Sequence, residues 1–557
     1  MIEKLREIFG ATKADNIHKK VKELLTVYKD KIKKSDHTLT QKDILLITYG
    51  DQVQKDGQSH LKTFHEFYKE RLSGFINSVH FLPFFPYSSD DGFSVIDFKK
   101  IDPNLGDWND VNQIHNDCRL MFDAVVNHIS SQSDWFKDYL DGKPEVVNYF
   151  HNIPADTDLT QVVRPRTHPL LTPFDRNGEQ VNIWTTFSED QIDLNFSDSE
   201  LFLKMVDILL FYLSQGASLL RLDAIAFLWK EIGTDCLHHE KTHLYVKLFK
   251  DILTEVKMDT LIITETNVPH TENISYFGNG SDEADLVYNF SLPPLLAHAI
   301  LKGNTSILTN WAQSLNLPSK EVCFFNFTAS HDGVGVRPAT GILPDEDITF
   351  LADTAIKNGG AVSYKTNNDG SKSPYELNCN YLELITNSSE SIELRKNKFI
   401  CSQSVLITMP GVPGIYFHSL VGSLNSHSEV KKTGRARSIN REKLLISELN
   451  NEINESESLR NLVFSEYQSM LEKRIIEPAF DPFGEFEIIN CNDKLFCILR
   501  KAKESKDYIL AIHNLSNESI SLDKSYLNDF QFDILSNEIV TTSIAPYAFY
   551  WLKQKSS

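Results

Sequence analysis

Residues 216–230 read GASLLRLDAIAFLWK. The apolar run 218–224 within this segment has the length and composition of a buried strand, and it carries Asp223 near its end. Arg221 lies two residues before Asp223, so both side chains point to the same face of that strand. Burying an unpaired carboxylate is costly, so a carboxylate that ends an apolar strand has a partner or a function. The segment predicts a strand that delivers a charged pair to a site.

Seven further apolar runs have the same character and suggest the rest of the sheet. They are ILLITY (44–49), SVHFLPF (78–84), LMFDAVV (120–126), TLIITE (260–265), DLVYNF (285–290), CFFNFTAS (323–330) and VPGIYFH (412–418). Helical patterning separates most of them, and buried strands that alternate with helices indicate a parallel α/β sheet. Eight such strands favour a (β/α)8 TIM barrel, in which the carboxyl ends of the strands carry the active site. Most of the runs end in polar residues, so the fold and the function signals agree.

Helical and antiparallel patterns flank the predicted barrel. Residues 1–40 have a charged amphipathic pattern and predict an N-terminal helical segment, so the catalytic barrel is expected over 41–470. Beyond residue 475 the pattern changes to short alternating strands such as KLFCILR and YILAIHN. These predict a C-terminal antiparallel β domain over 475–557.

Two gaps between predicted strands are too long for simple barrel connections. Residues 129–197 follow strand 3, and residues 335–395 follow strand 7 and include the glycine turn NDGSKS (368–373). Both are predicted to be inserted loop subdomains. Insertions on the catalytic face of a barrel usually build the substrate pocket, so we expect these two to do the same.

The composition excludes several classes of protein. Lys and Arg total 56 against 76 Asp and Glu, which gives a net charge of −20. A chain this acidic is a poor candidate for binding nucleic acid, whose phosphates require cations. The seven cysteines form no CxxC pair and indicate reduced, mostly buried thiols. The N-terminus shows no secretory signal and no apolar run is long enough to cross a bilayer, so we expect a cytoplasmic protein without a membrane partner.

Three carboxylates lie at or just beyond the ends of three predicted strands: Asp223, Glu265 in LIITET and Asp332 in FTASHD. Beside Arg221, Asp223 should stay ionised, which suits a nucleophile. Neighbouring carboxylates and burial would raise the pKa of Glu265, which suits a general acid. Two carboxylates with split roles are what glycoside cleavage requires. Each one alone could be a structural ion pair at the barrel rim, but all three together favour catalysis.

These segments resemble the conserved regions of the α-amylase superfamily, glycoside hydrolase family 13. DAVVNH (123–128), RLDA (221–224), ITET (263–266) and ASHD (329–332) are similar to its four regions, in the same order, and QIDLN (191–195) is similar to a further motif. The resemblance implies that Asp223 is the nucleophile, Glu265 the acid/base and Asp332 the stabiliser of the transition state.

The same resemblance implies which side chains hold the sugar. His128, Arg221 and His331 would contact the glucosyl unit. Gln191, Phe187 and Phe93 would line the same pocket.

Other segments resemble the sucrose phosphorylase subfamily, in its glucosylglycerate phosphorylase branch. They are TYGDQ (48–52), DDGFSVIDF (90–98), RPR (164–166), SPYELN (373–378) and TGRARSINREKL (433–444). The resemblance implies that Asp51 and Arg437 clamp the far hydroxyls of a single glucose and close the pocket behind it. Phe98 departs from the pattern, since relatives usually carry His or Tyr there, and we expect it to cost the glucose subsite a polar contact.

The resemblance also places an anion site. Arg166 and Tyr375 match positions that contact phosphate or the leaving group, and Arg164 lies nearby. An arginine offers a fixed fork of donors for an oxyanion. The alternative interpretation of RPR is a surface turn fixed by Pro165, with both arginines in solvent.

Neither a metal nor a cofactor is expected, and inorganic phosphate would be the co-substrate. Asn127 matches a calcium ligand of true amylases, but here a structural hydrogen-bonding role is preferred. The histidines of CLHHEKTH (236–243) lack ligand spacing, and an acceptor-loop role is the better expectation for them.

The sequence therefore predicts a hexosyltransferase of the phosphorylase type. It would act with retention on glucosylglycerate, through a covalent glucosyl–Asp intermediate, and release α-glucose 1-phosphate and glycerate. Sucrose, sucrose 6′-phosphate and glucosylglycerol stay open as substrates, as does an α-glucosidase or transglucosidase on the same fold. A catalytically inactive sugar-binding protein is disfavoured because all three carboxylates are present. Small-molecule partners and a monomer or homodimer are expected.

Overall fold

Eight parallel strands close into a barrel at the centre of the protein. The computed structural model describes residues 1–33, 35–366, 371–522, 527, 529–540 and 542–554. The barrel strands are β1 (Leu45–Thr48), β2 (Ser78–Phe81), β3 (Arg119–Ala124), β4 (Ala217–Leu222), β5 (Leu261–Thr264), β6 (Leu286–Tyr288), β7 (Cys323–Asn326) and β8 (Val412–Tyr416). Each strand pairs in parallel with its neighbours in the chain, and β8 pairs with β1 to close the circle. The predicted TIM barrel is confirmed.

Each predicted apolar run overlaps one barrel strand, and the strands are shorter than the runs. In β4 all six residues are buried, as expected for a strand covered on both faces. The run at 323–330 keeps strand geometry only over Cys323–Asn326, and the rest of it forms the loop that leads to Asp332. The residues beyond each strand are therefore free to face the carboxyl end of the barrel.

Helices surround the barrel, and some of them start at side-chain caps. They are His60–Phe67, Trp108–His115, Ser199–Ser214, Glu240–Val256, His270–Asn273, Leu292–Lys302, Ser306–Gln313, Phe417–Leu420, His427–Thr433, Ile446–Asn454 and Leu459–Ile476. Asp198, for example, accepts hydrogen bonds from the backbone N–H groups of Glu200 and Leu201, which would otherwise lack partners. In the described part of the chain, no helix is long and apolar enough to cross a membrane.

The N-terminal residues pack against the outer side of the barrel helices. Helices Ile2–Phe9 and Ala11–Tyr28 meet at Gly10, whose φ of 82° is a conformation that glycine adopts without strain. The Tyr28 hydroxyl donates to the Asp207 carboxylate at 2.7 Å, and the ring of Phe9 contacts that of Phe202 at 5.5 Å. This segment therefore covers the outside of the barrel helix Ser199–Ser214.

The two long connections form structures of their own on the catalytic side. The first contains helix Asp134–Leu140 and strands His128–Ser130, Leu171–Arg176, Glu179–Trp184 and Gln191–Asp193. The second contains helices Asp345–Lys357 and Tyr381–Ile385 and a three-stranded antiparallel sheet of Val334–Gly335, Lys372–Asn378 and Ala361–Thr366. The turn expected at 368–373 lies partly outside the described residues.

A six-stranded antiparallel sheet ends the chain. Its strands, in spatial order, are Phe486–Asn492, Leu495–Lys501, Tyr508–Asn514, Phe549–Gln554, Phe530–Asp533 and Glu538–Ile539. It packs on helix Ile392–Thr408: buried Arg500 donates to the carbonyl of Thr408 at 2.8 Å, and the Trp551 indole donates to the Ser404 hydroxyl at 2.9 Å. The boundaries proposed for this and the other domains stay predictions.

Candidate active site

A cavity of about 660 Å³ opens at the carboxyl ends of the barrel strands. All of the predicted site residues line it except Arg221, Asp51 and Arg164: Phe93, His128, Arg166, Phe187, Gln191, Asp223, Glu265, His331, Asp332, Tyr375 and Arg437. Asp90, Phe227, Thr266 and Asn267 also line it, and the sequence argument missed all four. Asp90 could have been found from the sequence, because it opens the quoted motif DDGFSVIDF, which also contains the predicted Phe93.

Buried Arg221 holds the predicted nucleophile from below the cavity. Its Nη1 lies 2.7 Å from Oδ1 of Asp223 and also donates to Oδ1 of Asp123, which is fully buried. Nε2 of His80 lies 2.7 Å from the other oxygen of Asp123. Asp123 opens the motif DAVVNH, but its role as the second anchor of Arg221 could not be assigned from the sequence. The arginine therefore bridges two carboxylates, and its orientation is fixed.

The chain turns sharply after Asp223 and thereby reaches Glu265. Ala224 adopts φ 50°, a left-handed conformation that is strained for a residue other than glycine. Its backbone N–H donates to Oε2 of Glu265 at 3.0 Å. Nη2 of Arg221 lies 3.9 Å from the same oxygen, considerably farther than from Asp223. The strained turn thus aligns the two carboxyl groups of neighbouring strands.

Burial dominates the protonation of both carboxyl groups. It raises the pKa of Asp223 well above its ordinary value, with Arg221 acting in the opposite direction and Glu265 adding to the rise. The sequence argument considered only the cation and was incomplete on this point. Burial also raises the pKa of Glu265, Arg221 opposes this, and the nearby Asp332 adds to it. The predicted rise at Glu265 is confirmed in direction.

Asp332 is surrounded by cations. Although burial acts to raise its pKa, Arg437, Arg441 and Arg221 hold that pKa below the ordinary value. Nη1 of Arg437 lies 2.7 Å from Oδ1 of Asp332. The same guanidinium donates to both oxygens of buried Glu376, at 2.8 and 2.6 Å, so it is fixed by a bidentate pair. Glu376 lies in the motif SPYELN, yet this pairing was not anticipated.

The structure separates the two residues of the predicted clamp, because Arg437 lines the cavity and Asp51 does not. Asp51 pairs with Nζ of Lys443 at 2.6 Å and is not among the residues that line the cavity. Instead, Arg441 pairs with Asp91 at 2.5 Å and donates to the carbonyl of His331 at 2.7 Å. Asp91 and Arg441 both lie in motifs quoted for the resemblance, DDGFSVIDF and TGRARSINREKL, but the sequence argument did not select either residue.

Aromatic and neutral polar side chains form one wall. The Phe93 ring stacks on His331 with centroids 4.7 Å apart and 7° between the planes. Nε2 of His128 lies 2.9 Å from the carbonyl oxygen of Phe93 and 3.2 Å from the side-chain nitrogen of Gln191. Burial lowers the pKa of both histidines, so they face the cavity as neutral rings. Phe187 lies against His128 with a centroid distance of 5.3 Å.

A buried ammonium group ties the first insertion to the barrel. The side chain of Lys230 is 3% exposed, and its Nζ lies 2.6 Å from Asp193 and 2.7 Å from the side-chain oxygen of Asn127. Asp193 also accepts from the backbone N–H of Thr186 at 2.7 Å. Asn127 thus has the hydrogen-bonding contacts of a structural residue. The network fixes the strand that carries Gln191 beside the strand that begins at His128.

Three features that the sequence placed at the site do not line the cavity: Phe98, Arg164 and the histidine cluster. Phe98 lies in another pocket, against Trp135 at 6.0 Å, and its predicted effect on the glucose subsite stays a prediction. Arg164 is exposed and donates to the carbonyl of His168, which is the surface turn considered as the alternative. The clustered histidines have separate partners: His238 lies 2.9 Å from the Tyr276 hydroxyl, and His243 lies 2.8 Å from Glu283.

Arg166 projects into the cavity from the first insertion. Its guanidinium carbon lies 5.6 Å from the ring centre of Tyr375 and 6.0 Å from that of Phe187. Among the described residues it has no carboxylate oxygen within 4.0 Å. Two aromatic rings therefore position this cation, and its donors stay available to a ligand.

A parallel barrel whose strand ends gather three carboxylates around one cavity defines a carbohydrate-active enzyme of the α-amylase type. The family described as "Alpha amylase, catalytic domain" matches residues 74–332. A glucosylglycerate phosphorylase of Spirochaeta thermophila is 47% identical over 93% of this chain and 89% of its own. One of Escherichia coli is 42% identical over 99% of both chains. The chain belongs to the α-amylase superfamily, in its glucosylglycerate phosphorylase branch.

Solved structures share the fold. The sucrose 6F-phosphate phosphorylase of Thermoanaerobacter thermosaccharolyticum superposes with a TM-score of 0.75 at 22% identity, over 90% of this chain and 98% of that one. The isomaltulose synthase of Klebsiella sp. LX3 gives 0.68 at 15% identity, over 92% and 99% of the two chains.

Proposed function

We propose that this protein is a retaining α-glucoside phosphorylase that transfers glucose between glucosylglycerate and inorganic phosphate. Relatives of that name are 42–47% identical over nearly the whole chain. The observation that carries the proposal is the position of Arg166, a cation without a carboxylate partner among the described residues, in the same cavity as Asp223 and Glu265. A hydrolase needs the carboxylates but does not need an unpaired arginine whose N–H groups can bind an oxyanion.

The first half-reaction divides one proton between two carboxyl groups. Both have raised pKa values, so we propose that the pair shares one proton and carries one negative charge. Arg221 touches Asp223 at 2.7 Å but stays 3.9 Å from Glu265, so the charge rests on Asp223 and the proton on Glu265. Asp223 attacks the anomeric carbon while Glu265 protonates the glycosidic oxygen, and glycerate leaves.

The transition state of that step carries positive charge at the anomeric carbon. Asp332 keeps its negative charge because Arg437 and Arg441 hold its pKa low, so it can stabilise the cationic ring. His128 and His331 are neutral and offer hydrogen bonds without adding positive charge beside the ring.

Phosphate completes the reaction. A phosphate oxygen attacks the anomeric carbon of the glucosyl–Asp223 ester, and the Glu265 carboxylate takes up the proton lost by the phosphate. Arg166 binds the phosphate oxygens, and the Tyr375 hydroxyl, in the same cavity, donates to them. Two displacements at one carbon retain its configuration, so the product is α-glucose 1-phosphate. The steps use side chains and phosphate alone, so the proposal includes no cofactor.

We further propose a cytoplasmic protein, because phosphate and sugar phosphates are charged metabolites that cells retain. For the assembly, we propose a monomer or a homodimer.

The test is release of glucose 1-phosphate from four donors: glucosylglycerate, sucrose, sucrose 6′-phosphate and glucosylglycerol. Each is incubated with and without phosphate. We expect glucose 1-phosphate from glucosylglycerate only when phosphate is present. Free glucose at equal rates in both conditions would show a hydrolase instead, and preference for another donor would correct the leaving group.

A further inference from the structure

Two more cations flank the strand that carries Tyr375. Strand Lys372–Asn378 is the middle one of its three-stranded sheet. On one side, the backbone N–H of Val336 donates to the carbonyl of Tyr375 at 3.1 Å, which places Arg337 next to that residue. On the other side, Lys365 pairs with Ser373 in the ladder. Arg337 and Lys365 therefore approach Tyr375 from opposite edges of one strand.

Neither cation is neutralised at close range. The Arg337 side chain is 15% exposed, and the carboxylate oxygen it meets, from Glu272, is 4.0 Å away. Lys365 is half-buried and, within the described ranges, has no carboxylate oxygen within 4.0 Å. Burial and the charge of Arg337 lower the pKa of Lys365. Two like charges held together in a chain of net charge −20 are unfavourable unless an anion joins them.

Arg337 acts on a residue that lines the cavity, although neither Arg337 nor Lys365 is itself among the lining residues. Arg337 acts on the pKa of Tyr375 together with Arg166, although burial is the main reason that this pKa is raised. Tyr375 lines the same cavity as the catalytic carboxyl groups. Arg166 already supplies a fork for phosphate, whereas Arg337 and Lys365 come from the other insertion and add a second, separate source of positive charge.

We propose that Arg337 and Lys365 bind the carboxylate of the leaving group, so that the enzyme selects α-glucosides of small hydroxy acids over those of neutral polyols. This inference rests on the proposed function. Such a pair discriminates between leaving groups, because a neutral leaving group supplies no counter-charge to two partly buried cations. Phosphate enters after the leaving group has gone and is held by Arg166.

The experiment compares Arg337→Gln and Lys365→Gln with the wild type in both directions. The Michaelis constant for glycerate is measured with glucose 1-phosphate as donor, and that for phosphate with glucosylglycerate. We expect the glycerate constant to rise by about tenfold or more in each variant, and the phosphate constant by less than about threefold. Arg337→Lys should recover part of the loss. Lys372→Gln, on an exposed position of the same hairpin, is the matched control and should behave as the wild type.

Each other outcome overturns the inference. An equal rise in both constants would assign the pair to the phosphate site. Glycerate constants within twofold of the wild type would show that the pair has no role in binding. If Arg337→Gln fails to fold, Lys365→Gln and Arg337→Lys decide the matter. A wild-type enzyme that does not accept glycerate would overturn the proposed function as well, so the two failures are distinguishable.

Discussion

The two ends of the cavity handle charge in opposite ways. At the floor, each arginine has a carboxylate within 2.7 Å: Arg221 with Asp223, Arg437 with Asp332, and Arg441 with Asp91. At the mouth, Arg166 has none within 4.0 Å among the described residues, and the same holds for Arg337 and Lys365 beside the strand of Tyr375, apart from the contact of Arg337 with Glu272 at that limit. Paired charges fix geometry, and unpaired cations keep their attraction for a ligand.

This difference matches what each end must bind. Glucose is neutral, so its site needs rigid hydrogen-bonding partners and one carboxylate, Asp332, that can face a developing positive charge. Phosphate and glycerate are anions, and a cation already paired with a carboxylate would bind them weakly. Desolvated, unpartnered cations destabilise the folded protein, and binding an anion removes that cost. The paired charges at the floor of the cavity are thus fixed by the protein alone, whereas the cations at its mouth gain a counter-charge only when an anionic ligand binds.

The largest effect should come from replacing Asp223 at the floor of the cavity. Asp223→Asn keeps the shape of the side chain but removes the nucleophile and the partner of Arg221. We expect kcat/KM for phosphorolysis to fall by at least about 10⁴-fold. Activity within tenfold of the wild type would show that another group attacks the anomeric carbon. The melting temperature serves as the control, because the loss should be chemical and the fold intact.

Removing the proton donor should have the next largest effect and change the pH profile. Burial raises the pKa of Glu265, so the acid stays protonated above its ordinary range, and activity should be lost as the pH rises through that raised pKa. Glu265→Gln cannot donate at any pH. We expect a rate lower by about 10²- to 10⁴-fold and the loss of this alkaline limb.

A donor with a good leaving group separates the two floor variants. α-Glucosyl fluoride needs little protonation, so it should restore formation of the covalent intermediate in Glu265→Gln but not in Asp223→Asn. Release of fluoride measures this step. Equal responses of the two variants would contradict the split of roles between the two carboxyl groups.

The smallest effect should come from replacing Arg166 at the mouth of the cavity, and it should appear in the KM for phosphate. Arg166→Gln removes the fork between Tyr375 and Phe187, and we expect the KM for phosphate to rise by about tenfold, with a larger share of hydrolysis. Arg164→Gln, two residues away but exposed, should change it by less than about twofold. Similar effects of the two substitutions would mean that general surface charge, rather than the cavity site, attracts phosphate.

The fold was predictable because its signal is local. Each buried strand, such as β4 with Asp223 at its end, is a continuous apolar run, and the alternation with helices leaves few topologies. The three carboxyl groups that meet in the cavity were predictable for the same reason: a carboxylate at the end of an apolar strand is visible in the chain itself. The insertions were located but their contacts were not, since pairings such as Lys230 with Asp193 join residues far apart in the chain.

The site assignments departed from the structure where the motifs offer more than one charged residue of the same kind. Asp51 was chosen from one motif, whereas Asp91, in another motif, pairs with Arg441. Arg164 and Arg166 are two residues apart, yet one faces solvent and the other the cavity. Local sequence gives the same chemistry for either choice, so only the direction of each side chain distinguishes them.

The sequence by itself determined the barrel, the order of its strands and the identity of the three carboxyl groups, because these depend on hydrophobic runs and on the residues that end them. The tertiary structure alone decided which cations are paired and which are left for ligands. That property depends on distances between segments that lie hundreds of residues apart, as with Arg441 and Asp91. Burial, which raises the pKa of Asp223 despite the adjacent Arg221, likewise exists only once the chain has folded around it.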